Sequence, residues 1–116
     1  MKKNVFFIIL LISQIIADPF EFNISTQQGA YFFNNVTLNG NSINSEDWVG
    51  AFNGETCIGA TQWDTSECNG GVCSININGF DINIENTLDY IQTGEFPTFK
   101  IYDASENIYL NANPST

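Results

Sequence analysis

Residues 47–63 read DWVGAFNGETCIGATQW, and this stretch is the strongest indication of the fold class. Two apolar runs, residues 48–52 and 56–63, flank the dipeptide Asn53-Gly54. Asparagine and glycine tolerate the positive φ angles of a type I′ turn, so this dipeptide between apolar runs is a strong local signal for a β-hairpin. The stretch therefore predicts two antiparallel strands joined by a tight turn.

Further short strands are predicted on both sides of this hairpin. Residues 20–25 read FEFNIS and alternate apolar with polar side chains, which is the period of a half-buried strand. Residues 72–78, 98–103 and 108–110 are also strand candidates, and Asn-Gly or other glycine-containing turns separate them.

A looser alternation follows in residues 31–38. It places Phe32, Val36 and Leu38 on the inner face of a strand, and it leaves Tyr31 and Phe33 on the outer face. This stretch is therefore predicted as one more strand, with a less regular pattern than its neighbours.

One segment breaks the pattern of strands. Ile84, Leu88 and Ile91 recur at helical spacing and predict one short helix that crosses an end of the sheets. About seven strands at roughly 8–12-residue spacing, with one short helix, are typical of an antiparallel β-sandwich, either a jelly roll or an immunoglobulin-like fold. No internal repeat or linker interrupts residues 18–116, so they are expected to form a single all-β domain.

Residues 1–17 are expected to direct secretion. Lys2 and Lys3 precede a long apolar run, which Ser13 and Gln14 interrupt. The run is shorter than the roughly 20 apolar residues that a membrane-spanning helix needs. We therefore interpret residues 1–17 as a signal peptide and expect an extracellular or cell-surface protein that has no membrane segment after cleavage.

The composition excludes several classes of function. Outside residues 1–17, thirteen aspartates and glutamates stand against a single basic residue, Lys100. Such a surface repels phosphate backbones and anionic membranes, so nucleic acid is not an expected partner. The chain contains no histidine, which removes the commonest general base, the nucleophile arrangements that depend on it and nearly every catalytic zinc site. The composition predicts a non-enzymatic protein without a cofactor.

The motif Asp64-Thr65-Ser66 is the best candidate for catalysis. Asp-Thr-Gly and Asp-Ser-Gly motifs carry the shared-proton carboxylates of aspartic proteases, some of which are homodimers of similar size. In this chain Ser66 stands where those motifs have glycine. An Asx or Ser/Thr turn after Trp63 is the simpler interpretation, with a dimeric aspartic hydrolase as the alternative.

Two N-glycosylation sequons are intact, Asn23-Ile24-Ser25 and Asn35-Val36-Thr37. The predicted alternation places both asparagines on the polar faces of their strands, where a glycan has space. We therefore predict N-linked glycans at Asn23 and Asn35. The alternative is that both are unmodified surface residues.

The three cysteines are an odd set for an oxidising compartment, which suggests one disulfide and one leftover thiol. Cys68 and Cys73 flank a flexible Asn-Gly-Gly-Val loop, so we favour a disulfide between them on proximity. The chain-entropy model gives that bridge roughly 2 kcal/mol and a bridge from Cys57 to Cys73 roughly 3 kcal/mol, which does not choose between them. If Cys68 is bonded to Cys73, Cys57 is either buried as a small apolar residue or paired with another chain.

Acidic side chains provide oxygen ligands of the kind that Ca²⁺ prefers. Residues 81–85 begin like an EF-hand loop, but the positions that need glycine and glutamate hold Asn86 and Gln92, which excludes an EF-hand. A different calcium site is expected if loops meet at one edge of a sandwich, and its ligands would be Asp47, Asp81, Glu85 and Asp103. Their alternative role is that of solvated turn residues.

The aromatic residues allow a carbohydrate-binding interpretation, because sugar rings stack on the faces of tryptophan and tyrosine. Trp48 and Trp63 lie inside apolar strand patterns and are predicted to belong to the core. Tyr31, Tyr102 and Tyr109 are the better surface candidates for contact with a sugar.

Part of the chain resembles a recurrent module of secreted bacterial and protist surface proteins. The matching segments are DWVGAFNGETCIGA at residues 47–60, QWDT at 62–65 and GEFPTFKIYD at 94–103. The family pattern also has a Cys-Gly-Gly-Val-Cys-like loop and an acidic Gly-Asp-Asp-Gly stretch, which this chain replaces by Gly-Phe-Asp-Ile at residues 79–82. The resemblance covers about residues 46–104 and implies an extracellular β-sandwich with a structural or adhesive role.

Residues 20–25 suggest how such a module assembles. They could add as a strand to the sheet edge of a neighbouring copy, with Phe20, Phe22 and Ile24 filling pockets. This head-to-tail contact would propagate into a filament unless it closed as a ring, and the alternative is that the strand folds back into its own sandwich. We expect a structural or adhesive subunit of an extracellular fibril or surface layer. The alternative function is a monomeric carbohydrate-binding or calcium-dependent lectin-like module.

Overall fold

The computed structural model describes residues 18–115, and the predicted signal peptide lies outside them. Within that range the chain forms eight strands and two short 3₁₀ turns, the latter at Thr65–Glu67 and Glu85–Thr87. The strands are β1 (Gln28–Phe33), β2 (Thr37–Leu38), β3 (Asn41–Ser42), β4 (Trp48–Asn53), β5 (Thr56–Gln62), β6 (Cys73–Asn78), β7 (Thr98–Asp103) and β8 (Ile108–Ala112). The all-β prediction is confirmed.

The strands form one large and two small antiparallel sheets. The large sheet has four strands in the order β5-β4-β7-β8. Strand β1 pairs with β6, and β2 pairs with β3 as a short hairpin. The β1–β6 pair packs on one face of the four-stranded sheet, which gives a sandwich-like arrangement of two layers.

Two tight hairpins follow from Asn-Gly dipeptides. In the β2–β3 hairpin both Asn39 (φ 54°) and Gly40 (φ 82°) have positive φ angles, as a type I′ turn requires. In the β4–β5 hairpin Asn53 pairs with Thr56, so the two turn residues are Gly54 and Glu55. Only Gly54 has a positive φ angle there (61°), which is the pattern of a type II′ turn. The hairpin is confirmed, but its turn lies one residue later than the sequence predicted.

The core lies between the four-stranded sheet and β6. Val49 and Ala51 of β4 and Phe99 of β7 contribute from the sheet, and Ile75 and Ile77 contribute from β6. The layers approach most closely where β5 meets β6. A Cβ atom placed on Gly59 would lie far inside contact with the carbonyl oxygen of Asn76, so glycine is required at this crossing.

Aromatic side chains correct part of the sequence interpretation. Tyr31 and Phe33 of β1 pack against the core, whereas Phe32 is 70 % exposed, which reverses the predicted faces of this strand. The reason is that β1 ends at Phe33, so its alternation does not continue into β2. Trp63 is buried as predicted, but Trp48 is half-exposed.

Two predicted elements are replaced by irregular structure. Residues 20–25 belong to no strand, and Phe20 lies in a bend. The segment predicted as a helix contains only the 3₁₀ turn at Glu85–Thr87, and Leu88 within it is exposed while Ile91 is buried. Its apolar residues therefore do not form one helical face. No helix in residues 18–115 has the length and apolar character needed to cross a membrane.

Candidate functional site

The main candidate site is the contact between the N-terminal segment and the outer face of the four-stranded sheet. We call residues 18–27 the arm. The outer face is the face turned away from β6, and its aromatic or charged residues are Trp48, Phe52, Lys100, Tyr102 and Tyr109. Strand alternation directs these side chains away from the core, and the arm covers part of them.

Phe20 anchors the arm in a socket on this face. Its side chain is only 6 % exposed, and its ring makes edge-to-face contacts with Phe52 (5.7 Å between centroids) and Tyr109 (5.4 Å). The floor of the socket is Gly50, where an added Cβ would lie 3.0 Å from the Phe20 ring. The Tyr109 hydroxyl also donates to the carbonyl oxygen of Pro19 at 2.9 Å. The missing side chain at Gly50 therefore provides the space that Phe20 fills.

The rest of the arm is held by single anchors instead of a strand ladder. The amide of Asn23 donates to the Tyr90 hydroxyl at 2.6 Å, and the amide of Ser25 donates to Asn78 Oδ1 at 2.9 Å. Phe22 is half-buried and Ile24 is 68 % exposed. Of the three residues predicted to fill pockets in a neighbour, the structure fully seats only Phe20, and it does so within the same chain.

A carboxylate fixes the end of the arm. The hydroxyl of Thr26 and the amide of Asn83 both donate to the carboxylate of Asp81. These two bonds lower the pKa of Asp81 from its ordinary value of 3.8, and the bond from Thr26 has the larger effect. Because these bonds favour the charged carboxylate, they stabilise the folded state when the pH is above the ordinary pKa of the group. That stabilisation is lost as the pH falls through the lower pKa of the folded state.

We expect acid to loosen the arm for this reason. As the pH falls from about 4 to about 2, hydrogen-exchange protection of the Asn23 and Ser25 amides should fall relative to that of β4. The variant Asp81→Asn should lack this step, since its side chain does not titrate. Equal protection of the arm at both pH values in the wild type would show that Asp81 does not hold it.

A large acidic cleft of about 1530 Å³ lies between the arm and residues 83–90. Asp18 and Glu21 of the arm and Glu85 and Asp89 of the opposite wall line it. Cys57 also lines the cleft; it is half-buried, and its thiol donates to the carbonyl oxygen of Gly59 at 3.4 Å. Burial raises the pKa of the Cys57 thiol above its ordinary value.

Cys57 is expected to react slowly while the arm is docked. A raised pKa lowers the thiolate fraction at neutral pH, and Phe20 and Phe22 of the docked arm line the same cleft as Cys57. Alkylation near pH 8 should be slower than for an exposed thiol of ordinary pKa, and the variant Phe20→Ala should accelerate it. Reaction of the wild type at the rate of a free thiol would contradict this arrangement.

The four carboxylates predicted to bind calcium do not form one group. Asp47 and Asp103 lie at the start of β4 and the end of β7, which are neighbours, and Asp47 Oδ1 accepts from the amide of Ala104 at 2.9 Å. Asp81 and Glu85 lie at the opposite end of β4, where the last residue of that strand, Asn53, donates to the Asp89 carbonyl. Among residues 18–115 no group of three or more His, Cys, Asp or Glu side chains could hold a metal.

The remaining predicted site residues have local structural roles. Asp64 caps the 3₁₀ turn Thr65–Glu67 by accepting from the amide and hydroxyl of Ser66, as the turn interpretation of the Asp-Thr-Ser motif predicts. Cys68 and Cys73 lie at disulfide-bonding distance, with their Cα atoms 5.1 Å apart. The cysteine pair favoured from the sequence is thus the pair that the fold brings together.

Both sequon asparagines are exposed. Asn23 lies on the arm, and Asn35 lies between β1 and β2. The Asn35 side chain accepts a hydrogen bond from the Ser42 hydroxyl at 3.1 Å through Oδ1. That bond leaves the other branch of the amide, Nδ2, as the atom available for a glycan.

Comparison with known proteins does not extend these observations. No protein-family model, curated protein or solved structure matches the chain significantly. The function is therefore argued from the arm and its socket.

Sequence reasoning missed three residues that build this site. Gly50 forms the floor of the socket, and Tyr90 and Asn78 hold the amides of the arm. A glycine inside an apolar strand was the one available signal, since it often marks close approach of another segment. Nothing in the sequence pairs Asn78 or Tyr90 with residues more than fifty positions away.

Proposed function

We propose that this protein is a secreted, N-glycosylated, non-catalytic subunit of an extracellular fibril or surface layer, whose copies associate by exchanging the arm. The observation that carries the proposal is Phe20, which is 6 % exposed in a socket formed by residues far away in the sequence. The arm is held by one buried side chain and a few hydrogen bonds, so it can make the same contacts with a neighbouring copy.

Exchange keeps the packing of Phe20 but gives up two hydrogen bonds at the end of the arm. The arm joins β1 through Thr26 and Gln27, which are both exposed; the Thr26 hydroxyl donates to Asp81, and the Gln27 carbonyl oxygen accepts from the amide of Gly79 at 2.7 Å. If these residues extend outward, Phe20 of one copy enters the socket of the next, and the packing of the arm within a chain is replaced by the same packing between chains. Each copy donates its arm from one surface and accepts an arm at another. The association is therefore head-to-tail and can propagate as a filament.

The charge distribution supports the same contact. The described chain has thirteen carboxylates, so copies repel one another over most of their surfaces. Lys100 is its single basic residue; it lies on the outer face with Nζ 4.8 Å from the centre of the Phe52 ring, beside the socket. The incoming arm carries Asp18 and Glu21 on either side of Phe20. Attraction between opposite charges therefore favours the arm over other surfaces of a neighbour.

The test is the particle mass of the secreted protein. Light scattering should show a mass that rises with concentration for the wild type, whereas Phe20→Ala should remain a monomer. Ile24→Ala is the matched control, because Ile24 lies on the same arm but is 68 % exposed. Circular dichroism checks that both variants fold. A wild type that stays monomeric at high concentration, or a Phe20→Ala variant that assembles normally, would contradict the proposal.

A monomeric carbohydrate-binding module is the second candidate, and one observation favours it. Tyr102 and Tyr109 lie side by side on the outer face, with ring centroids 4.9 Å apart, and Tyr109 is 51 % exposed. Such rings offer faces on which a sugar can stack. Glycan-array binding that is lost in Tyr102→Ala and unaffected by a chelator would favour this candidate. The separation of the four predicted calcium ligands gives no support to calcium dependence.

A further inference from the structure

A second cavity, of about 560 Å³, opens on the core side of the four-stranded sheet. It lies between residues 32–39 and residues 111–115, and its volume falls within the range of small-molecule sites, about 300–1,000 Å³. None of the residues that line it is charged, although the chain carries thirteen carboxylates. Asparagines are frequent in the lining, at positions 34, 35, 39, 111 and 113. The groove therefore suits a neutral ligand with many hydroxyl groups.

Phe32 lines this groove and is 70 % exposed. Its neighbours in β1, Tyr31 and Phe33, pack against the core, and Phe33 also lines the groove. The exposed ring of Phe32 is therefore available for stacking. Asn35, the asparagine of the second sequon, follows Phe32 by three residues and lines the same groove.

We propose that this groove receives the N-glycan of Asn35 and that Phe32 is the platform for its first sugar. This inference rests on the secretion and glycosylation in the proposed function. The polarised C–H groups on one face of an N-acetylglucosamine ring are attracted to the negative face of a phenyl ring. The hydroxyl and acetamido groups on its edges then bond to the amide of Asn34 or to water.

The glycan is attached at Nδ2 of Asn35, the amide atom that the Ser42 hydroxyl does not bind. In secretory glycosyl transfer a bond forms between Asn35 Nδ2 and C1 of the sugar, the bond from C1 to the diphosphate of the donor breaks, and Nδ2 loses a proton. The Ser42 hydroxyl holds Oδ1 at 3.1 Å, which limits rotation of the side chain and so directs Nδ2. Attachment at Asn35 keeps the sugar at high effective concentration near Phe32, so a weak contact suffices.

The first sequon provides an internal contrast. The residue three positions before Asn23 is Phe20, whose ring is buried against Phe52 and Tyr109. A sugar on Asn23 therefore finds no exposed phenyl ring at the same spacing. Stabilisation by the glycan is expected at Asn35 and not at Asn23.

A double-mutant cycle tests the proposal. The protein is expressed in a glycosylating secretory host as the wild type, Phe32→Ala, Asn35→Gln and the double variant, and mass spectrometry gives the occupancy of each sequon. Urea unfolding should show that the glycan on Asn35 raises the folding equilibrium constant roughly two- to tenfold with Phe32 present and leaves it unchanged with alanine there. Phe32→Trp should retain the effect. Asn23→Gln, in either Phe32 background, is the matched control and should show no coupling.

A second readout does not depend on stability. In the glycosylated protein, ring-current shifts should move proton resonances of the first N-acetylglucosamine upfield, and Phe32→Ala should abolish the shift. An unoccupied Asn35 in a secreted product would overturn this inference together with the predicted glycosylation. An occupied Asn35 without coupling and without the shift would overturn this inference alone and leave the proposed function intact.

Discussion

Replacing Gly59 by alanine is expected to destabilise the fold by about 3 kcal/mol or more, a large part of the stability of a small domain. The added Cβ would overlap the carbonyl oxygen of Asn76, which belongs to the backbone of β6 and cannot rotate away. Either β5 or β6 must then shift, which disrupts the packing between the two layers. Urea or thermal unfolding measures the change, and for a domain of this size a drop in the melting temperature on the order of 15 °C is expected.

Gly29→Ala is the matched control for this prediction. Gly29 also faces Ile77 of β6, but a Cβ there would lie 3.6 Å from Ile77 Cγ1, which is ordinary contact. Neither glycine has a positive φ angle, so the two variants differ in available space and not in backbone strain. Gly29→Ala should change the free energy of unfolding by less than about 1 kcal/mol. Equal stability of the two variants would contradict the close crossing of β5 and β6.

Asn78→Ala should have the second largest effect, also about 3 kcal/mol. Asn78 is 2 % exposed and connects three parts of the molecule. Its Nδ2 donates to the Ile58 carbonyl at 2.9 Å, and its Oδ1 accepts from the Ser25 amide at 2.9 Å and from Gln28 Nε2 at 3.3 Å. Alanine leaves buried partners without hydrogen bonds and creates a cavity. The free energy of unfolding and exchange of the Ser25 amide both report the loss.

Asn78→Asp distinguishes the donor from the acceptor role of this side chain. An aspartate keeps an acceptor for Ser25, but its charged form cannot donate to Ile58 and is costly to bury. Burial raises the pKa of such a carboxyl, so the folded state binds its proton more tightly than the unfolded state. This variant should therefore become more stable as the pH falls from 7 to about 5, relative to the wild type. A pH-independent difference would show that the folded state does not disfavour a charge at position 78.

The strands that the sequence predicts best are those with long, regular patterns. The predicted segment 98–103 coincides with β7, and those at 48–52 and 56–63 match β4 and β5 to within one residue. Each of these strands has neighbours on which its apolar face packs, so burial and alternation agree. Residues 20–25 have the same alternation but no strand partner, because Phe20 is buried on the sheet face and not in a ladder. Alternation alone does not distinguish these two ways of burying a phenylalanine.

The candidate site was harder to predict because it depends on long-range topology. The sequence predicts that Phe20 fills a pocket in a neighbouring copy, but its partners Gly50, Phe52 and Tyr109 come from two strands whose order in the sheet is not readable from the sequence. The predicted calcium ligands failed to meet for the same reason. The direction of β4 determines that Asp47 lies at one end of the sheet and residues 81–91 at the other, and periodicity does not specify that direction.

In the proposed assembly, copies join by inserting Phe20 of one chain into the Gly50 socket of the next. Two variants test the inserted side chain, which we call the plug, and the socket separately. Phe20→Ala leaves the socket intact but removes the plug, and Gly50→Val leaves the plug intact but fills the socket, since even a Cβ at this position lies 3.0 Å from the Phe20 ring. Each variant alone should be a folded monomer.

The decisive measurement is the mass of an equimolar mixture of these two variants by light scattering. In the mixture only one pairing is possible, the arm of Gly50→Val in the socket of Phe20→Ala, so the mixture should form heterodimers and nothing larger, whereas the wild type grows without a fixed limit. A mixture that stays monomeric while the wild type assembles, or variants that assemble on their own, would contradict association through the arm.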